Sequence, residues 1–197
     1  EHWNNHSIKL NEEDIIEVLL LHDIGNIVKG EDDNFKALFP DTYDMESFEY
    51  WVNMRNWIRE HYGNNDLQAT QNIVKEIGIS EKLREMIEKK QFYNNRKTYE
   101  NTDYAIKICA YADQRVAPEG IMSLNGRLNE AIKRYQNVKD ASVNRSDRKV
   151  LIQFAKKIEE QIFENVNGTP DQITDESVEV YISDLKCHKF NNLFPQN

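Results

Sequence analysis

An adjacent histidine and aspartate, His22 and Asp23, follow four consecutive apolar residues, Val18 to Leu21, and precede Gly25. Aspartate is rarely buried unless it is paired or binds a metal, so an aspartate at the end of an apolar run needs a partner. Imidazole and carboxylate groups both bind divalent ions, so one interpretation is a metal site. The alternative is an ordinary helix C-terminus, at which His22 contacts the last carbonyl groups and Gly25 closes the helix.

A second apolar segment also ends in an acidic residue. Residues 104–116 are mostly apolar and carry Asp113 near their end. Crossing helices in a bundle bring distant residues together, so we expect His22, Asp23 and Asp113 to form one site. One imidazole and two carboxylates suit a divalent ion with open positions for water and a phosphate oxygen. The sequence leaves the ion open among Mn²⁺, Fe²⁺, Co²⁺, Ni²⁺, Zn²⁺ and Mg²⁺.

The elements that must position these residues are predicted to be helices. Asn11 is an N-cap candidate, because three acidic residues and then an apolar run follow it. Low glycine and proline content, seven and four residues, favours an all-α fold. Apolar periodicity predicts further helices at about 45–62, 66–77, 80–90, 104–116, 123–135, 146–166 and 174–187.

The segments between these helices are predicted to be loops. Residues 91–101 are polar with scattered aromatic residues, which is typical of a loop. The polar stretch 30–44 is either a loop over the site or a plain connector. Aromatic residues at helical spacing are usually core residues, so the apolar side chains of the 45–62 helix are predicted to be buried. They are Phe48, Trp51, Val52, Trp57 and Ile58.

Composition limits the classes of partner and compartment. The formal net charge of −9 argues against general binding to nucleic acid or to an anionic membrane. Cys109 and Cys187 lie far apart and outside any CxxC pattern, which predicts free thiols in a reducing, cytoplasmic environment. No apolar run approaches the length of about 18 residues that a membrane-spanning helix needs.

Three segments carry a resemblance to a known family. Leu20-Leu21-His22-Asp23-Ile24-Gly25 matches the central motif of the HD-domain superfamily of metal-dependent phosphohydrolases. Residues 110–116 resemble the segment with that family's final metal-binding aspartate, and residues 66–78 resemble the helix between the two. The similarity covers roughly residues 1–135. We therefore expect an HD-type domain over 1–139 and a helical C-terminal extension over 140–197, packed on the main bundle.

The resemblance implies an activity and roles for individual residues. It implies an HD helical bundle that hydrolyses a nucleotide or small phosphate ester, with a divalent metal held by His22, Asp23 and Asp113. The ion would activate a water, which Asp23 orients or deprotonates. Lys29 or Arg115 would hold the substrate phosphate. Their alternatives are a solvated lysine and an arginine paired with a neighbouring carboxylate. The oligomeric state is left open.

The chain also departs from the family pattern. The family's metal set usually begins with a histidine on a preceding helix, which predicts that this ligand is His2 or lies upstream of Glu1, with His6 at the surface. Binuclear members carry additional histidines, whereas the segment 85–91 has none, so a mononuclear site is expected. His61 is interpreted as a helix-end residue rather than a ligand. The alternative functions are a non-catalytic HD module that binds a ligand or protein through its C-terminal helices, and a plain helical scaffold.

Overall fold

The computed structural model describes residues 2–29, 45–134 and 145–190, and nearly all of their regular structure is helical. The prediction of an all-α fold is confirmed. The helices are α1 (Glu12–Leu21), α2 (Met45–Tyr62), α3 (Asp66–Glu76), α4 (Glu81–Lys89), α5 (Asn95–Glu100), α6 (Tyr104–Asp113), α7 (Leu124–Arg134), α8 (Arg145–Phe163) and α9 (Asp175–Lys186). Short 3-10 helices lie at Asn26–Lys29, Phe92–Asn94 and Pro170–Gln172.

Two segments contain regular structure that was not expected from the sequence. Residues 92–100, predicted to be a loop, form a 3-10 helix followed by α5. Asn95 and Thr98 are both buried there, so tertiary contacts stabilise a segment whose polar sequence lacks a helical pattern. After α6, the strands β1 (Val116–Ala117) and β2 (Gly120–Ile121) form a small antiparallel hairpin.

The described residues fall into two compact units, and the first contains residues 17–29 and 45–85. In it, α2 and α3 pack on each other and on the 3-10 helix Asn26–Lys29. The prediction that Trp51 and Trp57 are core residues of α2 is wrong, because both are about half exposed. Arg55 is the α2 residue that is buried, which leaves the indole rings on the solvent side of the helix.

The second unit contains residues 2–16, 86–134 and 145–190. Its core joins side chains of α6, α7 and α8, namely Tyr111, Leu124, Leu128, Ala155, Ile158 and Ile162. The helix α8, which belongs to the predicted C-terminal extension, therefore shares a core with α6. The predicted domain boundary at 139/140 lies outside the described residues and stays a prediction. None of the helices in the described ranges has the length and apolarity that crossing a bilayer requires.

Candidate metal centre

His22 and Asp23 lie at the C-terminal end of α1, and the helix fixes their position. Its start is capped as predicted, since the Asn11 side-chain oxygen accepts from the Glu13 amide at 3.2 Å. The His22 amide still donates to the Val18 carbonyl at 3.0 Å, so His22 belongs to the last helical turn. The His22 ring is half-buried and Asp23 is exposed. The pair therefore lies at the edge of the fold, where solvent and small molecules have access.

The hydrogen bonds of His22 fix which ring nitrogen can bind a cation. Its Nδ1 lies 2.7 Å from the Leu19 carbonyl oxygen, and a carbonyl only accepts, so Nδ1 carries a proton. In the neutral ring Nε2 then holds a lone pair, and it lies 3.3 Å from Asp23 Oδ2. Two acceptors this close require a proton or a metal cation between or beside them. A backbone-anchored imidazole whose other nitrogen faces the ion is the usual arrangement of a histidine metal ligand.

Gly25 holds the turn after His22 against α3. Its amide donates to Thr70 Oγ1 at 3.1 Å, and that hydroxyl in turn donates to the His22 carbonyl at 3.4 Å. A Cβ atom on Gly25 would lie 2.5 Å from the Asp66 carbonyl oxygen and 2.5 Å from the Thr70 amide. Gly25 is not among the glycines with positive φ. Its role is therefore close backbone approach to α3 and not that of a left-handed helix cap.

Asp113 is held by a different kind of contact. Lys90 Nζ lies 2.7 Å from Asp113 Oδ2, and the Lys90 side chain is only 2% exposed. The next residue, Gln114, exchanges two side-chain hydrogen bonds with the buried Asn95, at 2.9 and 3.1 Å. The C-terminal end of α6 is therefore fixed by residues about twenty positions earlier in the chain.

Lys90 and Asn95 are the residues that sequence reasoning missed. A signal for Lys90 was present, because it continues the apolar face formed by Leu83 and Ile87 at spacings of four and three. A lysine on such a face must find an anionic partner once it is buried. Asn95 gave no comparable signal, since it lies in a polar segment.

The structure brings three of the predicted site residues together. One ligand atom from each of His22, Asp23 and Asp113 lies within 4.8 Å of the others. In the described ranges, no other group of three or more histidine, cysteine or acidic side chains has this spacing. The set offers one nitrogen and two carboxylates, which suits a divalent transition ion or Mg²⁺.

The two predicted phosphate-binding residues have structural partners. Lys29 Nζ lies 2.7 Å from Asp66 Oδ2, at the start of α3, and half of the lysine side chain is exposed. Lys29 is therefore not simply solvated, as the alternative interpretation had it. It forms an ion pair that links the 3-10 helix to α3. Lys29 as a substrate-binding residue stays a prediction.

Arg115 is buried and donates to several acceptors. Its Nη2 donates to the carbonyl oxygens of Pro170 and Ile173, at 3.2 and 3.1 Å. Its Nη1 also donates to the Tyr111 hydroxyl, and its Nε to the Met122 carbonyl. These contacts join the hairpin to the segment before α9, and they favour a structural role over phosphate binding.

The other histidines and the α6 thiol have different surroundings. His61 is exposed, stacks on Trp57 and has its Nδ1 2.8 Å from the Trp57 carbonyl oxygen, as a helix-end residue would. His2 and His6 are exposed and do not belong to the three-residue group. Burial raises the pKa of the Cys109 thiol to about 12, so this cysteine is protonated at neutral pH and is a poor metal ligand.

Comparison with known proteins does not add a family to this geometry. No family model, curated protein or solved structure matches the chain. The resemblance to the HD-domain superfamily therefore rests on the motif around His22 and Asp23, on the segment around Asp113 and on the helix 66–78 between them. Membership of that superfamily stays a prediction.

Proposed function

We propose that this protein is a metal-dependent phosphohydrolase of the HD type that acts on a nucleotide or another small phosphate ester. His22, Asp23 and Asp113 are the residues that would hold a divalent ion. The observation that carries the proposal is the pair His22 and Asp23. The His22 ring is protonated at Nδ1 and faces Asp23 Oδ2 with Nε2 at 3.3 Å, an arrangement that a bound cation would stabilise.

Two further observations support a metal at this place. Asp113 contributes a ligand atom within 4.8 Å of those of His22 and Asp23, which gives three candidate ligands. The turn that carries the pair is held by Gly25 against α3, so ordering the ligands costs little on binding. A bound divalent ion supplies a nucleophile at neutral pH and neutralises charge on the phosphoryl oxygens.

The chain's own residues would orient the substrate and move the proton. The Asp23 side chain is 60% exposed, so it can accept a proton from an incoming water at the mouth of the site. The Leu19 carbonyl keeps the His22 ring in one tautomer, which fixes the direction of Nε2. Asp113 is less exposed, at 34%, and is suited to holding the ion rather than exchanging protons with solvent.

Metal content tests the binding part of this proposal. The purified protein should contain close to one equivalent of transition metal, and His22→Ala with Asp23→Ala should lose it. A matched control is Glu60→Ala with His61→Ala, an exposed acid and histidine at the end of α2 that lie outside the group. Equal metal content in the wild type and the His22/Asp23 double variant would contradict the proposal.

Turnover tests the catalytic part. A panel of nucleotides and phosphomonoesters with Mn²⁺, Co²⁺ or Ni²⁺ should reveal phosphate release that the His22/Asp23 variant lacks and the Glu60/His61 control retains. Metal binding without turnover on any substrate would support the alternative function, a non-catalytic binding module.

One observation favours that alternative. The helix α9 has no buried residue, and Val180, Tyr181, Ile182 and Leu185 are all exposed on it. Exposed apolar residues at helical spacing are typical of a surface that binds another protein. Loss of a protein partner on Tyr181→Ser with Leu185→Ser, with catalysis absent in the wild type, would support the binding module.

A further inference from the structure

The helix α9 is anchored at its start and exposed along its length. Asp175 Oδ1 accepts from the Ile121 amide at 2.9 Å, which fixes the first turn of α9 to the hairpin. Thr174 caps the helix, since its Oγ1 accepts from the Ser177 amide at 3.2 Å. None of the twelve residues of α9 is buried. A helix of this length is marginal in water without packing, so we expect another surface to cover and stabilise it.

The apolar residues of α9 concentrate on one face. Four of them lie at positions that are three, four and seven residues after the first, which is the spacing of one helical face. We call them the α9 stripe: Val178, Tyr181, Ile182 and Leu185. The last three are between 40 and 46% exposed. Val180 is 70% exposed and lies about 200° around the helix from Val178, so it is on the opposite face.

The charges of α9 change sign along the helix. The first turn is acidic, with Asp175 and Glu176, and the last turn is basic, with Lys186. Glu179 and Lys186 lie on the same side of the α9 stripe, because seven residues are close to two full helical turns, whereas Asp184 lies on the other side. A matching partner would have an apolar stripe with a basic group opposite Glu179 and an acidic group opposite Lys186. A second copy of α9 in the antiparallel orientation has this pattern.

We propose that the protein self-associates by antiparallel pairing of α9 with α9 of a second copy, the two copies being related by a twofold axis. In such an isologous contact each Glu179 faces Lys186 of the other copy, so one pairing provides two ion pairs. The antiparallel orientation also places opposite ends of the two helix dipoles side by side. A parallel pairing would instead bring the two acidic first turns together. The self-association goes beyond the proposed function and does not depend on a bound metal.

Sedimentation equilibrium tests the role of the α9 stripe. The buffer contains a reductant, because Cys187 is exposed and its thiol can join two copies by a disulfide. One helix per copy is a small interface, so the wild type should dimerise with a dissociation constant of about 10 to 100 µM. Ile182→Glu places a charge in the stripe and should weaken dimerisation at least about tenfold. Val180→Glu is the matched control on the opposite face and should stay within about threefold of the wild type.

Charge reversal tests the orientation of the pairing. Glu179→Lys alone, and Lys186→Glu alone, should each weaken dimerisation about fivefold, because each places like charges opposite one another in both ion pairs. Glu179→Lys with Lys186→Glu restores opposite charges and should return the dissociation constant to within about twofold of the wild type. The two positions are about 10 Å apart along one helix, so this rescue reports on a contact between copies. Both residues are exposed, so these variants keep the test valid if Ile182→Glu does not fold.

Three results would overturn the proposal. A wild type that stays monomeric up to about 200 µM would mean that a different protein, or another part of this chain, covers the α9 stripe. Equal weakening by Ile182→Glu and Val180→Glu would show that the stripe is not the contact surface. A dimer that the double charge reversal does not restore would exclude the antiparallel pairing. Self-association and metal content are measured separately, so the failure of this proposal is distinct from the failure of the proposed function.

Discussion

Asp23 and Asp113 end two apolar helices, yet the two carboxylates are held in different ways. The Asp23 side chain is 60% exposed and contacts its own neighbour, His22, at 3.3 Å. The Asp113 side chain is 34% exposed and pairs at 2.7 Å with Lys90, which is 2% exposed and lies 23 positions earlier. The contact of the Asp23 carboxylate with His22 is local, whereas the Asp113 carboxylate depends on a long-range pair with a buried lysine.

Because of this difference, we expect the two aspartates to contribute unequally to the stability of the fold. Removing an exposed carboxylate breaks a contact that solvent already screens, so it costs little folding energy. Removing the partner of a buried ammonium leaves an uncompensated charge inside the protein. The same substitution should therefore affect only binding at one aspartate, and both binding and folding at the other.

The largest expected effect is that of Asp113→Ala. It should lower the free energy of unfolding by about 3 kcal/mol, because it strands the Lys90 ammonium, whereas Asp23→Ala should cost less than about 1 kcal/mol. Both should abolish metal binding. Urea unfolding followed by circular dichroism gives the first quantity, and metal analysis the second.

A double variant isolates the cause of that loss. Asp113→Ala with Lys90→Met removes both charges, so it should recover most of the stability that Asp113→Ala loses, while metal binding stays absent. Equal stability losses for Asp23→Ala and Asp113→Ala would show that the two ends are held alike, contrary to the comparison.

Gly25→Ala probes the turn that carries His22 and Asp23. The new Cβ would meet backbone atoms of Asp66 and Thr70 at 2.5 Å, so the turn must move away from α3. We expect a loss of about 2 kcal/mol in unfolding free energy and weaker metal binding, since His22 moves with the turn.

Gly126→Ala is the matched control for that substitution. Gly126 lies within α7, and the nearest atom to an added Cβ is Ser123 Oγ at 3.1 Å, the end of a small side chain. It should change stability by less than about 1 kcal/mol and leave metal binding intact. If Gly25→Ala behaved like this control, the close approach to α3 would not position His22.

The smallest effect concerns the thiols, which report on the burial of α6. Cys109 is buried one turn before Asp113, and burial raises its pKa to about 12, so the thiol is protonated at pH 8.5. Cys187 is exposed. Alkylation at pH 8.5 should modify only Cys187 in the wild type and in Asp23→Ala, and should reach Cys109 faster in Asp113→Ala. Rapid modification of both thiols in the folded wild type would contradict this packing of α6.

Most of the helices could be predicted from the sequence. Apolar periodicity and capping residues such as Asn11 and Thr174 are local signals, and the structure confirms helices at those places. The segment 92–100 and the exposed indoles of α2 could not be predicted in this way. The fold of this segment and the exposure of these indoles depend on what packs against them. A pattern of neighbouring residue types does not contain that information.

The sequence by itself determined that His22 and Asp23 are adjacent at the end of an apolar helix and that Asp113 ends another. Only the tertiary structure decided how each is held. The tautomer of His22 follows from the contact of its Nδ1 with the Leu19 carbonyl, which the folded structure shows. The cation beside Asp113 is a lysine from another helix, and burial gives that charge its strength, because a charge removed from water is no longer screened.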